Sequence, residues 1–367
     1  MLIGANWLGE HVMSAKKVNK QNLLVNSDNI VAMQKMKSMG LKVKHIFVDP
    51  PYGTGSGDFR YSDNSDFELW QKQMGYVFSL GHQLMLEDGV CAVCIDDNNY
   101  AYLKIILDEI FGRSNYIGTF IWKKSHTVKN DSKTISTQHE HILMYAKDIK
   151  KVQLNRDQVS QEYVDKSYRH QDEKGVYRTV PLHKKKNTKV FPITSKYGKV
   201  WELPWNYNEV GMDKLIADDM IEWGKTETAM PAKKVYLKPM DEMTKTYGTI
   251  LNPELVGYTG DGGRDLKELG FESMDFLYAK PVKLYKFILG IFMKDGDTVL
   301  DFFAGSGTTG HAVMVNNSEK GQNCKFILIT NNENGICESI TKPRIDRCIS
   351  INLFNETFVY EMGDNHE

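Results

Sequence analysis

Thr298-Val299-Leu300-Asp301-Phe302-Phe303-Ala304-Gly305-Ser306-Gly307-Thr308-Thr309 reads as an apolar strand that runs into a glycine turn and opens a helix. Glycines let the backbone approach a ligand at the carboxyl edge of a parallel sheet, where α/β folds bind cofactors. The motif alone leaves the ligand open. A phosphate-cradling G-x-x-x-x-G-K loop would need a lysine that does not follow Gly307, whereas Gly310 supplies the third glycine of a dinucleotide fingerprint. A purely structural tight turn is the plain alternative.

Outward from this stretch, a helical pattern covers Val282 to Phe292 and a strand covers Lys325 to Ile329. Earlier in the chain the same rhythm appears: a strand at Leu23 to Val25, a helix near Ile30 to Met39, a strand at His45 to Val48, and a helix over Phe67 to Met85. A strand at Val90 to Ile95 and a helix at Tyr100 to Phe111 follow, with closing strands at Gly118 to Trp122 and His141 to Tyr145. This predicts a mostly parallel sheet with helices on both faces. From about Asp148 to Tyr278 the rhythm stops and the text becomes basic, aromatic and rich in turn residues. The expected organisation is therefore one discontinuous α/β domain (1–149 and 279–352), an inserted lobe (150–278) and a C-terminal tail (353–367).

The 367 residues carry ordinary apolar and charged fractions, 41% and 25%. No apolar run is long enough to span a membrane and no secretory leader is recognised, so a cytoplasmic location is expected. The five cysteines form no disulfide framework; Cys91 and Cys94 lie three apart on a buried strand, which sends their thiols to opposite faces and speaks against a metal. Although the formal net charge is −1, Lys123 to Val200 holds roughly 18 Lys and Arg against roughly 8 Asp and Glu, a local surplus that attracts phosphates.

His45-Ile46-Phe47-Val48-Asp49-Pro50-Pro51-Tyr52-Gly53-Thr54-Gly55 narrows the chemistry. Prolines fix φ and carry no N–H, so Pro50 and Pro51 make a rigid segment with available carbonyls. A carboxylate and a fixed carbonyl can each accept a hydrogen from a flat exocyclic amine, and Tyr52 offers a face for a heterocycle. A bland turn with a surface tyrosine is the competing reading.

Asp-Pro-Pro-Tyr at 49–52 together with Phe303-Ala304-Gly305-Ser306-Gly307 resembles the amino-methyltransferases that modify adenine N6 or cytosine N4 in DNA. The order of the two motifs, with a long insert between them, is similar to the β class, and especially to modification (Mod) subunits of type III restriction-modification systems, although the chain is short for one. Further segments carry the likeness: Asn22 to Asn29 with Ser27 in place of a glycine, Phe59 to Asp63 and Trp70, Cys94 to Asn98, Trp122-Lys123-Lys124, His139-Glu140-His141 and Thr330 to Asn334. Gly53-Thr54-Gly55 departs from the usual Asn-Thr-Gly.

The resemblance implies a circularly permuted, Rossmann-like methyltransferase fold with an inserted target recognition lobe. It further implies S-adenosylmethionine as cofactor, no metal, and transfer to N6 of a flipped-out adenine in double-stranded DNA. It leaves room for a homodimer and for a nuclease (restriction) subunit as partners. Asp49, Pro50, Pro51 and Tyr52 would be catalytic. The backbone of Phe303, Ala304, Gly305, Ser306, Gly307 and Thr308 would lie against the methionine part of the cofactor and Asp301 would face its ammonium, with a loop cap as Asp301's alternative. Asp28 would accept from the cofactor's adenine amine or cap a helix. Glu333 would bridge the ribose hydroxyls or sit in a surface loop. Lys280-Pro281 would flank the cofactor, Pro281 otherwise being an ordinary first-turn proline.

Trp122, Lys123, Lys124, Lys129 and Lys133, with Tyr163, Tyr168, Arg169, Tyr177, Arg178, Lys184, Lys185, Lys186 and Lys189, mix cations with rings in a way that suits DNA, although any one lysine is expected to be a solvated surface residue. The competing functions are the same module acting on RNA or a glutamine side chain, an inactive DNA-binding relative, and a nicotinamide dehydrogenase. Asp49 and the long insert favour DNA over the first, the intact motifs oppose the second, and Asp-Pro-Pro-Tyr has no role in the third.

Overall fold

A computed structural model describes residues 21–53, 66–128, 132, 134–224, 226, 229–272, 279–351 and 358–362. Thr54, Gly55, Phe59 to Asp63, Lys129, Lys133 and Tyr278, all named above, lie outside them. The chain divides into two compact units, one of residues 1–155 and 248–367 and one of residues 156–247.

The first unit is built on a nine-stranded sheet among the described residues. Its strands and main helices are β1 (Asn22–Asn26), α1 (Asn29–Ser38), β2 (His45–Val48), α2 (Phe67–Leu84), β3 (Val90–Ile95), α3 (Tyr100–Phe111), β4 (Tyr116–Lys123), β5 (His139–Ala146) and β6 (Ile250–Leu251). They continue with α4 (Thr259–Glu268), α5 (Val282–Phe292), β7 (Thr298–Asp301), α6 (Thr308–Lys320), β8 (Lys325–Thr330), α7 (Lys342–Ser350) and β9 (Phe358–Met362). The sheet order is β6-β4-β5-β3-β2-β7-β8-β1-β9. Every neighbouring pair is parallel except the two that β5 makes with β3 and β4.

All residues of β1, β2, β3 and β7 are buried, as expected of parallel strands covered on both faces. Helix α2 starts at Asp66, whose side chain accepts from Leu69 N–H at 3.1 Å, and buries Trp70, Met74, Val77, Phe78, Gly81 and Leu84 along one stripe. A Cβ on Gly81 would come within 3.1 Å of Ile46 and Phe302 side chains, so the glycine sets how closely α2 lies over β2 and β7. Gly310 does the same for α6, where a Cβ would stand 2.8 Å from Ile345 and 3.0 Å from Leu328.

Two expected boundaries change. Residues 248–272 belong to the sheet unit: Ile250 and Leu251 pair with Ile121 and Trp122, and Asp265 accepts from Val282 N–H at 2.7 Å, capping α5. The inserted unit thus ends at Tyr247 and not near residue 278; the polar, glycine-rich text around α4 hid helices that are amphipathic and short. The supposed tail holds β9, which covers the outer edge of β1 in parallel register from Asn22↔Phe358 to Asn26↔Met362, an edge that would otherwise expose unpaired backbone groups.

The second unit is less irregular than its sequence reads. It has a four-stranded antiparallel sheet of Ile221–Glu222, Ala232–Tyr236, Gly175–Pro181 and His170–Asp172, plus a hairpin of Val190–Thr194 with Val200–Pro204. Its own core gathers Leu182, Phe191, Ile193, Trp205, Met212, Ile221 and Trp223. All five cysteines are buried and free. No helix among the described residues is long and apolar enough to cross a membrane.

Candidate active site

Strands β2, β7, β8 and β1 are adjacent, and their carboxyl ends bring four acidic residues to one edge. Asp49 follows β2, Asp301 ends β7, Glu333 opens a short turn beyond β8, and Asp28 follows β1. The late-sequence strands β7 and β8 stand side by side between the early strands β2 and β1, which is how residues about 250 positions apart come to share a site.

After β7 the backbone turns through Gly305 (φ 47°) and Gly307 (φ 79°), both left-handed. At Gly307 a Cβ would also press within 3.1 Å of Thr341 Cγ2. Asp301 spans the turn, accepting from Phe303 N–H at 3.0 Å and from the Thr309 hydroxyl. It is the cap expected as its alternative role, yet it makes no ion pair among the described residues. Burial raises its pKa to about 7, with Asp49 adding to the rise and its two hydrogen bonds opposing it. From below, the Thr341 hydroxyl donates to Gly305 O at 2.6 Å, and the buried Arg344 guanidinium donates to Ser306 Oγ at 3.0 Å and Thr308 Oγ1 at 2.9 Å. Thr341 and Arg344 were missed from sequence because nothing in a lone helix points to a loop some 35 residues upstream.

Asp28 caps α1 through Oδ1, which accepts from Ile30 N–H at 2.9 Å and Val31 N–H at 3.1 Å. Glu333 is half-buried at the start of its turn. Phe303 packs partly against the main core. Pro281 stands at the N-cap of α5, one position before the helix, so it is not the first-turn residue that the plain reading expected.

Two of three successive carbonyls in the Asp-Pro-Pro-Tyr segment are held by side chains. Trp70 Nε1 donates to Pro51 O at 2.8 Å and Asn99 Nδ2 donates to Tyr52 O at 2.6 Å, whereas the Pro50 carbonyl accepts no hydrogen bond among the described residues. Gly53 has φ +69°, and a Cβ there would come within 3.0 Å of Asn99 and Trp70; glycine in place of the usual asparagine fits that crowding.

The side chains form a charged cluster. The Tyr52 hydroxyl lies 2.8 Å from Asp49 Oδ1 and 3.1 Å from Glu140 Oε2. Lys280 Nζ lies 2.7 Å from Asp49 Oδ2, 3.0 Å from the Tyr52 hydroxyl and 3.4 Å from Glu140 Oε2. Lys124 Nζ closes the cluster on Glu140 Oε1 at 2.9 Å. Burial works against the Lys280 ammonium, but Asp49 and Glu140 hold its pKa above the ordinary value. For Glu140 burial is likewise outweighed, here by Lys280 and Lys124, and its pKa is lowered. Burial and both carboxylates push the Tyr52 phenol well above its usual range.

Four expectations change here, those for Lys280, Trp122, Lys124 and Tyr177. The Lys280 side chain turns to Asp49, and it is the Lys280 carbonyl that meets the glycine turn, through Thr308 Oγ1 at 3.4 Å. Trp122 is fully buried, its Nε1 donating to Gly257 O at 2.8 Å, so it offers no ring to DNA; it sits on the inner face of β4. Lys124 is engaged with Glu140, which leaves Lys123 as the exposed cation of that trio. In the second unit Lys184, Lys185 and Lys186 are exposed on a turn closed by Asn187 N–H to Lys184 O at 2.9 Å. Tyr177, by contrast, is buried and donates to Glu222 at 2.6 Å. Alternation along β5 explains how Glu140 was overlooked: it faces the cluster, while His139 and His141 on the opposite face approach Asp97 at 3.4 and 2.7 Å.

Comparison with known proteins gives the family. The StyLTI Mod subunit of a type III restriction-modification enzyme from Salmonella typhimurium is 33% identical over 88% of this chain and 54% of its own length. For the EcoP15I Mod subunit of Escherichia coli the figures are 27%, 87% and 60%. For the type II methyltransferase M.KpnI of Klebsiella pneumoniae they are 30%, 87% and 81%. The chain thus spans little more than half the length of the two Mod subunits. A family model described as DNA methylase, of the N6/N4 methyltransferase kind, matches residues 43–342, and the chain belongs to that DNA methylase family.

Proposed function

We propose that this chain transfers a methyl group from S-adenosylmethionine to N6 of an adenine flipped out of double-stranded DNA. The observation that carries the reading is the pairing of Asp49 with the unengaged Pro50 carbonyl at the end of β2, beside Tyr52. Two fixed acceptors match the two hydrogens of one exocyclic amine. The Asp form of the motif, as distinct from Ser-Pro-Pro-Tyr, favours adenine over cytosine by resemblance.

The cofactor fits the residues present. Asp301 is a buried acid without a counter-ion among the described residues, which suits a ligand carrying an ammonium. Gly305 and Gly307 expose the loop backbone, and Asp28 and Glu333 stand at the neighbouring strand ends for the adenosine part. When bound, the cofactor supplies an activated methyl on a sulfonium that leaves as a neutral thioether. Asp49 stabilises positive charge developing on the amine, the Pro50 carbonyl orients it, and the Tyr52 ring supports the base. A base must leave the stack to reach such a site.

The exposed Lys184, Lys185 and Lys186 support double-stranded DNA as the partner of the second unit. The names of the Mod relatives support a nuclease subunit as a further partner, tested by co-purification from cells carrying the neighbouring genes. For the activity, Asp49→Ala is expected to abolish transfer of labelled methyl to adenine in DNA while leaving cofactor affinity within about twofold of wild type, since the residue faces the amine. An Asp49→Ala protein that still methylates DNA refutes the proposal.

A further inference from the structure

The acceptor that this reading assigns to the amine is already occupied. Asp49 Oδ2 holds Lys280 Nζ at 2.7 Å, and Oδ1 holds the Tyr52 hydroxyl at 2.8 Å. A carboxylate neutralised by an ammonium is poorly placed to stabilise positive charge growing on a nitrogen beside it, because the ammonium repels that same charge.

One other carboxylate lies within ion-pair reach of Lys280 among the described residues. Glu140 Oε2 is 3.4 Å from Lys280 Nζ, and Glu140 is only 6% exposed. Its Oε1 is anchored by Lys124 at 2.9 Å, and Oε2 is oriented by the Tyr52 hydroxyl at 3.1 Å. The cluster is thus two carboxylates and two ammoniums around a phenol, and Lys280 stands between two acceptors of equal charge. A shift of less than one ångström toward Oε2 lengthens the approach to Asp49 and gives Lys280 an equally close one to Glu140, so that the buried ammonium keeps a carboxylate partner throughout.

We propose that Glu140 is a positioning residue for methyl transfer: as the target amine enters, Lys280 moves from Asp49 to Glu140 and leaves the Asp49 charge to the amine. No proton changes hands in this exchange, and Lys280 stays an ammonium. The inference rests on the adenine methyl-transfer reading.

Glu140→Gln tests it, since it keeps the shape and removes the charge that receives Lys280. Single-turnover transfer to a DNA substrate should slow by about tenfold or more, with affinity for S-adenosylhomocysteine and for DNA changed by less than about twofold. Glu140→Asp, which keeps the charge, should be faster than Glu140→Gln. Adding Lys280→Gln to Glu140→Gln should recover part of the rate, because no ammonium then remains on Asp49. The inference is overturned by a Glu140→Gln protein with wild-type rate, by equal rates for the Gln and Asp variants, or by a double variant no faster than Glu140→Gln. A wild-type protein that methylates no adenine in the same assay refutes the proposed function instead.

Discussion

Cofactor affinity should fall as pH is lowered through about 7, because Asp301 must be ionised to pair with an ammonium and burial raises its pKa to about 7 in the free protein. With that value, about one-tenth of the molecules carry Asp301 ionised at pH 6 and about nine-tenths at pH 8, so affinity should rise about tenfold across the interval. The sign for folding is opposite. Between the ordinary value of 3.8 and about 7 the native state holds a proton that the unfolded chain has released, so this group's contribution to stability declines as pH rises through that window. Calorimetry with S-adenosylhomocysteine, whose amino group titrates above this range, reads the effect without turnover. Paired buffers of different ionisation enthalpy should show about 0.9 proton released per ligand at pH 6, about 0.5 at pH 7 and about 0.1 at pH 8. Asp301→Asn can still accept from Phe303 N–H and donate to the Thr309 hydroxyl, so the turn should survive while the affinity weakens and loses its pH dependence. An affinity that is flat from pH 6 to 8, or an Asn variant with an unchanged slope, would refute the pairing of Asp301 with the ammonium.

Replacing Lys184, Lys185 and Lys186 together by Gln should lower the log–log salt slope of DNA binding by about 0.9 for every phosphate that is no longer neutralised, with little change in sequence preference; an unaltered slope would remove this turn from the interface. Tyr52→Ala should lose base stacking of about 1–3 kcal/mol, roughly ten- to a hundredfold in rate at limiting DNA. Tyr52→Phe keeps the ring but not the hydroxyl held between Asp49 and Glu140, so it should fall between wild type and Ala. Equal rates for Phe and Ala, with no difference in 2-aminopurine fluorescence at the target position, would show that the ring only packs the loop.

Local chemistry was legible in the sequence wherever a motif and its element coincide. The apolar run ending at Asp49, the prolines that free a carbonyl, and the left-handed Gly305 and Gly307 are properties of contiguous residues, and each lies where the pattern placed it. The strand Val90–Ile95 and the helices Tyr100–Phe111 and Val282–Phe292 have the predicted limits because long, periodic apolar patterns bury one stripe or both faces regardless of distant partners.

What the tertiary structure alone decided is the company each charged side chain keeps. Lys280 reads as a cofactor-flanking residue beside Pro281, but its four-carbon stem reaches Asp49, 231 positions away. Glu140 sits between two histidines and is separated from them only by the alternation of a strand whose inner face could not be known before its neighbours were. Trp122 looks like a DNA-facing ring until Ile250–Leu251 joins the edge of β4 and Gly257 takes its N–H. Strand β9 pairs with β1 from the far end of the chain, because an open parallel edge seeks backbone partners irrespective of sequence distance. Periodicity and turn chemistry act over a few residues, whereas ion pairs and edge pairing are settled by which strand ends the sheet order places side by side.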